Sequence, residues 1–228
     1  LPCDSRRQRQ MCIRDRFTTS TLQQTASSKL GFGASRTMQI AQRLYQGIDI
    51  EGDTIGLITY MRTDGTNISK DAIETFRSYI SDNFGKNYLP QSSLNYSGKK
   101  AKNAQEAHEA IRPTEISRNP ESLKKYLSSD QYKLYNLIWS RALSSQMESA
   151  KFDRKTITIT SKDKENIFKA SGSVLKFDGY LKLTNIEDEN ENEKILPDVE
   201  KESVNINEFI DEQHFTQPPP RYLSLIHI

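Results

Sequence analysis

The segment LITYMRTDGTNIS (57–69) joins a short apolar run to a tyrosine, an arginine and an aspartate at alternate positions. This pattern predicts a β-strand over 57–62. Residues two apart in a strand share a face, so Tyr60, Arg62 and Asp64 would line one side. A phenol with a pKa of about 10 is a weak nucleophile at neutral pH, but a guanidinium can clamp a phosphate and stabilise developing charge. On spacing alone, a half-exposed structural strand remains the simpler interpretation.

Length and composition limit the classes of function. The 228 residues suit one large domain or two small ones, and 35% apolar content with a mean hydropathy of −0.73 predicts a surface-rich shape. No apolar run reaches the roughly 18–20 residues of a membrane span. No secretory signal pattern opens the chain. We therefore expect a cytoplasmic protein without a membrane segment.

Residues 1–16 differ from the rest of the chain. They hold five arginines against two aspartates, a net +3, which leaves about −1 for the remaining chain, given the overall +2. Both cysteines, Cys3 and Cys12, lie here as well, which excludes a disulfide framework or a cysteine-based metal site elsewhere. Because the segment has no periodicity, we predict a disordered tail or one foreign to the fold.

Residues 17–48 predict two helices joined by a short glycine turn. The first would run from Ser20 to Leu30 and end at Gly31, and the second would begin at Ser35 as N-cap. The second helix would bury Met38, Ala41, Leu44 and Tyr45. Arg36 and Arg43 lie on its polar face, which favours a DNA-binding helix-turn-helix, although a plain αα-hairpin remains the alternative.

The remaining chain divides near residue 150. Residues 46–56 predict a turn, Ser69 predicts the N-cap of the next helix, and 119–150 predict continuous helix. Beyond 151 the period changes to two, which predicts strands over 155–161, 166–177, 179–184 and 203–210, with an acidic linker at 187–193. The predicted fold class is α+β and multidomain, with a helical unit followed by an antiparallel β unit.

The segment AHEAIRP (107–113) is a second candidate site. His108 and Arg112 are four apart, so a helical turn would direct both at one point and make a phosphate site. A zinc metalloprotease pattern would need a second histidine where Arg112 stands. A surface histidine beside a salt-bridged arginine is the structural alternative. Tyrosine recombinases are excluded, because their His-x-x-Arg motif precedes the tyrosine and has a different spacing.

These segments together resemble the bacterial type IA DNA topoisomerase I family. In the family, as here, LITYMRTDGTNIS is followed by AQEAHEAIRPT (104–114). The other matching segments also fall in the family's order: 17–48 upstream, and LYNLIWSRALSSQM, FDGY and HFTQPPPRY downstream. The resemblance covers roughly 17–222, and Met61 favours topoisomerase I over topoisomerase III. It implies a toroidal, ATP-independent enzyme that cuts one DNA strand, passes another through the gap and reseals it.

The resemblance also assigns roles to residues. Tyr60 would be the nucleophile that becomes linked to the 5′ phosphate, and Arg62 would position that phosphate. The DNA-binding residues would be His108, Arg112, Asp64, Thr63, Arg36 and Arg43. Residues 17–24 would connect to the arch, and 25–149 would form a winged-helix-like catalytic domain. Residues 150–215 would form part of the β arch. Residues 216–228 would be a truncated start of the next domain with an unrelated end.

Two departures from the family pattern limit what this chain could do alone. Gly65 stands where the family commonly has serine. The family's Mg²⁺-binding acidic cluster and general acid lie in an N-terminal Toprim domain that would precede residue 17, so we expect no metal ligand in this chain. We therefore expect this chain to be a central fragment of a monomeric enzyme that acts on single-stranded DNA. The fragment alone should be inactive. A winged-helix DNA-binding module without catalysis is the alternative.

Overall fold

Two glycine-flanked helices open the body of the computed structural model, which describes residues 9–11, 15–94, 108–160, 165, 167–183, 213 and 215. Helix α1 spans Thr19–Leu30 and ends at Gly31 in the left-handed conformation (φ 67°), as predicted. Helix α2 spans Ala34–Gln46 and begins after Gly33. The predicted N-cap at Ser35 is therefore wrong: the extended Gly33 lets the helix start earlier, and the Thr37 hydroxyl donates back to the Gly33 carbonyl.

The buried face of α2 is rotated from the predicted one. It consists of Thr37, Ile40, Ala41 and Leu44, the i, i+3, i+4, i+7 stripe of a helix packed on one side. Met38 is only half-buried, and the side chain of Tyr45 is 41% exposed. Because α2 packs against α1 and against α5 (Ser129–Ser144), these contacts, which the sequence pattern does not contain, set the orientation of its face.

A short hairpin and then irregular backbone follow α2, where a turn and a strand were predicted. Residues 48–55 form a hairpin of β2 (Ile48–Ile50) and β3 (Asp53–Ile55). Residues 57–62 are not a regular strand: within them only Ile58 forms an isolated bridge, to Pro113. A proline lacks the N–H that would extend a ladder of hydrogen bonds, which explains why the pairing stops there.

The next helices frame the core. Helix α3 (Lys70–Asn83) begins at Ser69, whose hydroxyl accepts from the Ala72 N–H, as predicted. The predicted continuous helix over 119–150 is wrong, since α4 (Pro120–Leu123) ends before α5. The physical reason is a capping box, in which Ser128 and Gln131 satisfy each other's backbone N–H groups and start a new helix.

A long antiparallel hairpin follows the helices. It pairs β4 (Ala150–Thr160) with β5 (Ile167–Phe177), so the described chain is α+β, as predicted. Residues 179–183 form a short 3₁₀ helix instead of the predicted strand. Local bonds account for this difference: the Leu181 N–H donates to the Asp178 carbonyl at 2.9 Å, the i→i+3 bond of a 3₁₀ helix, and the Tyr180 N–H donates to the Glu148 carbonyl at 3.0 Å. The segments 187–193 and 203–210 lie outside the described residues.

The N-terminal prediction also needs correction. Strand β1 (Arg9–Met11) pairs with β4, and Arg16 is buried. The Arg16 guanidinium donates to the Ser145 hydroxyl and to the backbone oxygens of Thr66 and Leu94, at 3.0–3.2 Å. The predicted disorder is therefore wrong for residues 9–11 and for Arg16. Backbone pairing and a single buried arginine leave no periodic signal in the sequence. No helix among the described residues is long and apolar enough to cross a membrane.

Candidate active site

The segment that carries Tyr60 alternates between buried and exposed residues without being a strand. Met61, Thr63 and Gly65 are buried, Arg62 and Asp64 are exposed, and Tyr60 is half-buried. An extended backbone places successive side chains on opposite sides whether or not it belongs to a sheet. The chain bends at Thr59 and Met61, however, so the predicted strand is absent and a common side for Tyr60, Arg62 and Asp64 stays a prediction.

Thr59 fastens this segment to the one that follows His108. Its backbone N–H donates to the Arg112 carbonyl at 2.9 Å, and its hydroxyl donates to the Ala110 carbonyl at 2.8 Å and accepts from the Arg112 N–H at 3.0 Å. Neither segment has a regular secondary structure here, so these bonds replace the ladder of a sheet. The sequence analysis missed Thr59, since its role depends on contacts more than fifty residues away.

The start of helix α1 holds the other side of the segment. The Thr19 hydroxyl donates to the Met61 carbonyl and accepts from the Thr63 N–H, both at 2.8 Å. The Thr19 N–H in turn donates to the Thr63 carbonyl at 2.9 Å. The backbone on both sides of Tyr60 is therefore bonded to two separate parts of the chain, which restricts where its phenol can point.

Two aromatic rings pack against the ring of Tyr60. The His108 ring lies 5.1 Å from it, centroid to centroid, with a tilt of 55°. The Tyr45 ring lies 5.4 Å away in an edge-on arrangement. Both distances fall within the range of favourable aromatic pairs. His108 was predicted as a site residue, whereas Tyr45 was predicted as part of a buried helix face.

The charged site residues differ in whether another side chain neutralises them. Within the described part of the chain, Arg62 and Asp64 make no ion pair or hydrogen bond, and both are exposed. Arg36 instead pairs with Asp130 at 2.5 Å and lies over the ring of Phe32. Arg43 is exposed in the last turn of α2. Arg62 is thus the cation beside Tyr60 that remains available to an anionic ligand.

The Arg112 side chain bonds groups of its own segment. Residues 108–114 are not helical, and Ile111 and Pro113 form bridges to Phe17 and Ile58. The Arg112 guanidinium bonds Glu109, with N–O distances of 2.7 and 2.8 Å, and the Pro113 carbonyl. The predicted helical turn is therefore wrong. The Arg112 guanidinium pairs with Glu109 instead, and both the joint phosphate site with His108 and direct DNA contact by Arg112 stay predictions.

Thr63 and Gly65 act within the protein. The Thr63 hydroxyl accepts from the Gly65 N–H at 3.0 Å and donates to the His108 carbonyl at 3.4 Å. A Cβ at Gly65 would lie only 2.5 Å from that same carbonyl oxygen. The missing side chain lets the His108 backbone approach, so a serine here, as the family commonly has, would require the backbone to shift.

The described residues do not provide a magnesium site. Among them no group of three or more histidine, cysteine, aspartate or glutamate side chains could hold a metal ion. Mg²⁺ needs several oxygen ligands in near-octahedral geometry, and Asp64 alone cannot supply them.

Comparisons with known proteins identify the family. A family described as DNA topoisomerase matches residues 3–225, which includes most of the predicted tail. DNA topoisomerase 1 of Rickettsia felis is 53% identical over 210 residues, which cover 90% of this chain and 27% of that protein. DNA topoisomerase 1 of Helicobacter pylori (strain 26695) is 47% identical over 215 residues, 93% of this chain and 28% of that protein.

A solved structure is similar as well. Full-length topoisomerase I of Thermotoga maritima superposes with a TM-score of 0.71 at 41% identity, covering 86% of this chain and 31% of that one. The chain therefore spans about a quarter to a third of the length of the proteins it matches. With the family matched over nearly all of its residues, the chain belongs to the bacterial type IA DNA topoisomerase family.

Proposed function

We propose that this chain carries the nucleophile of a type IA DNA topoisomerase, with Tyr60 as the residue that attacks DNA. The observation that carries this proposal is the environment of Tyr60. Its ring packs against two aromatic rings, its backbone is bonded on both sides, and an exposed arginine without a protein partner among the described residues stands two positions away. A phenol held in this way is oriented before substrate arrives, which lowers the entropic part of the barrier.

The chemistry proposed for Tyr60 balances without a redox partner. The phenolic oxygen attacks the phosphorus of one DNA phosphodiester, a tyrosine–phosphate bond forms, and the bond to the 3′ oxygen breaks. The phenolic proton leaves to a base, and the departing 3′ oxygen takes up a proton. Because the phosphotyrosine ester keeps the energy of the broken bond, attack by the 3′ hydroxyl reverses the step and reseals the strand.

Neighbouring residues have supporting roles in this proposal. Arg62 clamps the scissile phosphate and stabilises the charge on its oxygens, while His108 contacts the DNA backbone next to Tyr60. Arg36 and Arg43 lie seven residues apart on the exposed side of α2, about 10 Å along the helix, and would contact further phosphates. Arg36 would have to exchange Asp130 for DNA to do so. Asp64 and Arg112 remain proposed DNA contacts, and Thr63 would contribute through the His108 backbone.

The proposal extends to the architecture and to the whole protein. The helix pair α1–α2 followed by the β2–β3 hairpin supports a winged-helix-like catalytic domain over 25–149, and the β4–β5 hairpin supports an arch segment over 150–215. Complete relaxation of negatively supercoiled DNA needs Mg²⁺ and a general acid, which the resemblance assigns to a Toprim domain outside these residues. We propose a monomeric enzyme that acts on a single-stranded segment of DNA in the bacterial cytoplasm.

A chimera tests the nucleophile. Residues 17–222 replace the matching part of the Rickettsia felis relative, and end-labelled single-stranded DNA is analysed on denaturing gels for a covalent adduct. Tyr60→Phe keeps the ring and its packing but removes the attacking oxygen, so DNA should still bind while the adduct disappears. Tyr126→Phe is the matched control, since it removes an exposed phenol that bonds Glu51.

Three outcomes are possible, and they separate the proposal from DNA binding without catalysis. An adduct in the parent chimera and in Tyr126→Phe, but not in Tyr60→Phe, supports the proposal. An adduct that survives Tyr60→Phe assigns the nucleophile to another residue. A folded chimera that binds DNA and forms no adduct with any variant favours the binding module.

A further inference from the structure

The C-terminal end of helix α2 lies directly beside Tyr60. The Leu57 N–H donates to the Leu44 carbonyl at 2.8 Å, which satisfies one of the carbonyls that a helix leaves without a partner in its last turn. This bond brings the segment leading to Tyr60 against the last turn of α2, where Tyr45 is located.

Gly56 makes this approach possible. A Cβ at this position would lie 2.7 Å from the Tyr45 carbonyl oxygen, closer than non-bonded atoms tolerate. The absence of a side chain therefore lets the backbone at 56–57 lie against the helix. Three residues later the chain presents the Tyr60 ring at 5.4 Å from the Tyr45 ring.

Tyr45 lies outside the apolar core. Its side chain is 41% exposed, although the hydrophobic stripe of α2 is buried. A large aromatic side chain kept at the surface, with its ring edge-on to a candidate nucleophile, contributes little to the core. It does limit the rotation of the Tyr60 ring, because both Tyr45 and His108 pack against that ring.

We propose that Tyr45 is a positioning residue for the reaction: together with His108 it confines the Tyr60 ring, so that the phenolic oxygen is directed at the phosphate clamped by Arg62. This inference rests on the proposed function of Tyr60 as nucleophile. The role belongs to the ring of Tyr45, not to its hydroxyl, since the contact is ring to ring. Phenylalanine should therefore replace Tyr45, whereas alanine should not.

The first test measures the placement of Tyr60 without any catalysis. The full chain is labelled with 3-fluorotyrosine, and the ¹⁹F resonance of Tyr60 is identified by its loss in Tyr60→Phe. We expect Tyr45→Ala to shift and narrow this resonance as the ring gains freedom, while Tyr45→Phe leaves it in place. Tyr126→Ala serves as control for the loss of a partly buried tyrosine elsewhere in the chain. An unchanged Tyr60 resonance in Tyr45→Ala would overturn the inference.

The second test measures the reaction in the chimera described above. Tyr45→Ala should slow the maximal rate of adduct formation by about three- to tenfold, the range that one aromatic pair corresponds to, with unchanged affinity for single-stranded DNA. Tyr45→Phe should restore the rate. Weaker DNA binding with an unchanged maximal rate would make Tyr45 a DNA contact and overturn the positioning role. If Tyr60→Phe still forms the adduct, the proposed function fails, whereas the ¹⁹F result still reports on the contact itself.

Discussion

Glu109 holds the His108 segment to the start of helix α3, so its removal should destabilise the fold next to Tyr60. One carboxylate oxygen accepts from the Ser69 N–H at 2.9 Å, and the other bonds Arg112 at 2.7 and 2.8 Å. Glu109→Gln keeps the size and one acceptor but loses the charge, and its amide group cannot face the guanidinium. Arg112, whose side chain is only 15% exposed, then loses its carboxylate partner.

The expected magnitude follows from the burial of the pair. A hydrogen bond to a charged group contributes about 1.5–3 kcal/mol when it is buried. The Glu109 side chain is 35% exposed, so solvent screens part of this, and we expect Glu109→Gln to lower the free energy of unfolding by about 1–2 kcal/mol. Urea unfolding of the full chain, followed by the fluorescence of the single buried tryptophan, Trp139, measures it.

Glu115→Gln is a matched control. Glu115 also pairs with an arginine three residues later, Arg118, and also accepts one further hydrogen bond, from Ser117. Its side chain is 51% exposed, however, so the same substitution should cost about 0.5 kcal/mol or less. Equal losses in Glu109→Gln and Glu115→Gln would refute the argument that partial burial makes the Glu109 bonds structural.

Three further predictions concern other parts of the chain. Burial raises the pKa of the Tyr135 hydroxyl, so from about pH 10 upward the unfolded chain releases this proton while the folded chain keeps it, and the free energy of unfolding should decrease as the pH rises. Urea unfolding at about pH 8 and about pH 11 should show a smaller decrease in Tyr135→Phe than in the parent chain. Equal decreases in the two chains would contradict this. Gly65→Ala brings a Cβ against the His108 carbonyl oxygen and should cost about 1–3 kcal/mol in the same unfolding assay. Gly33→Ala, with nothing within 4 Å of its Cβ, should cost less, and a reversed order would count against the close approach. The purified chain alone should not relax supercoiled plasmid on an agarose gel, with or without Mg²⁺, because it spans only about a quarter of the length of its relatives; relaxation by a pure preparation would contradict this.

Local physical chemistry explains what could be predicted from the sequence. Gly31 ends α1 because glycine adopts positive φ without strain, and Ser69 begins α3 because its hydroxyl bonds a backbone N–H three residues ahead. The alternation of buried and exposed residues from Met61 to Gly65 follows the two-residue period of the sequence pattern. These features depend on residues within a few positions of one another, and a sequence contains them directly.

Contacts between distant segments decided the rest. Tyr45 lies beside Tyr60 because Gly56 lets two backbones touch, and Thr59 bonds a segment more than fifty residues away. Arg112 is turned to Glu109 because bridges to Phe17 and Ile58 keep residues 111–113 extended instead of helical. Such bonds satisfy backbone groups one at a time and leave no period in the sequence. The sequence by itself therefore identified the nucleophile candidate and its arginine, whereas only the tertiary structure decided which rings hold that nucleophile and which charges remain available to a phosphate.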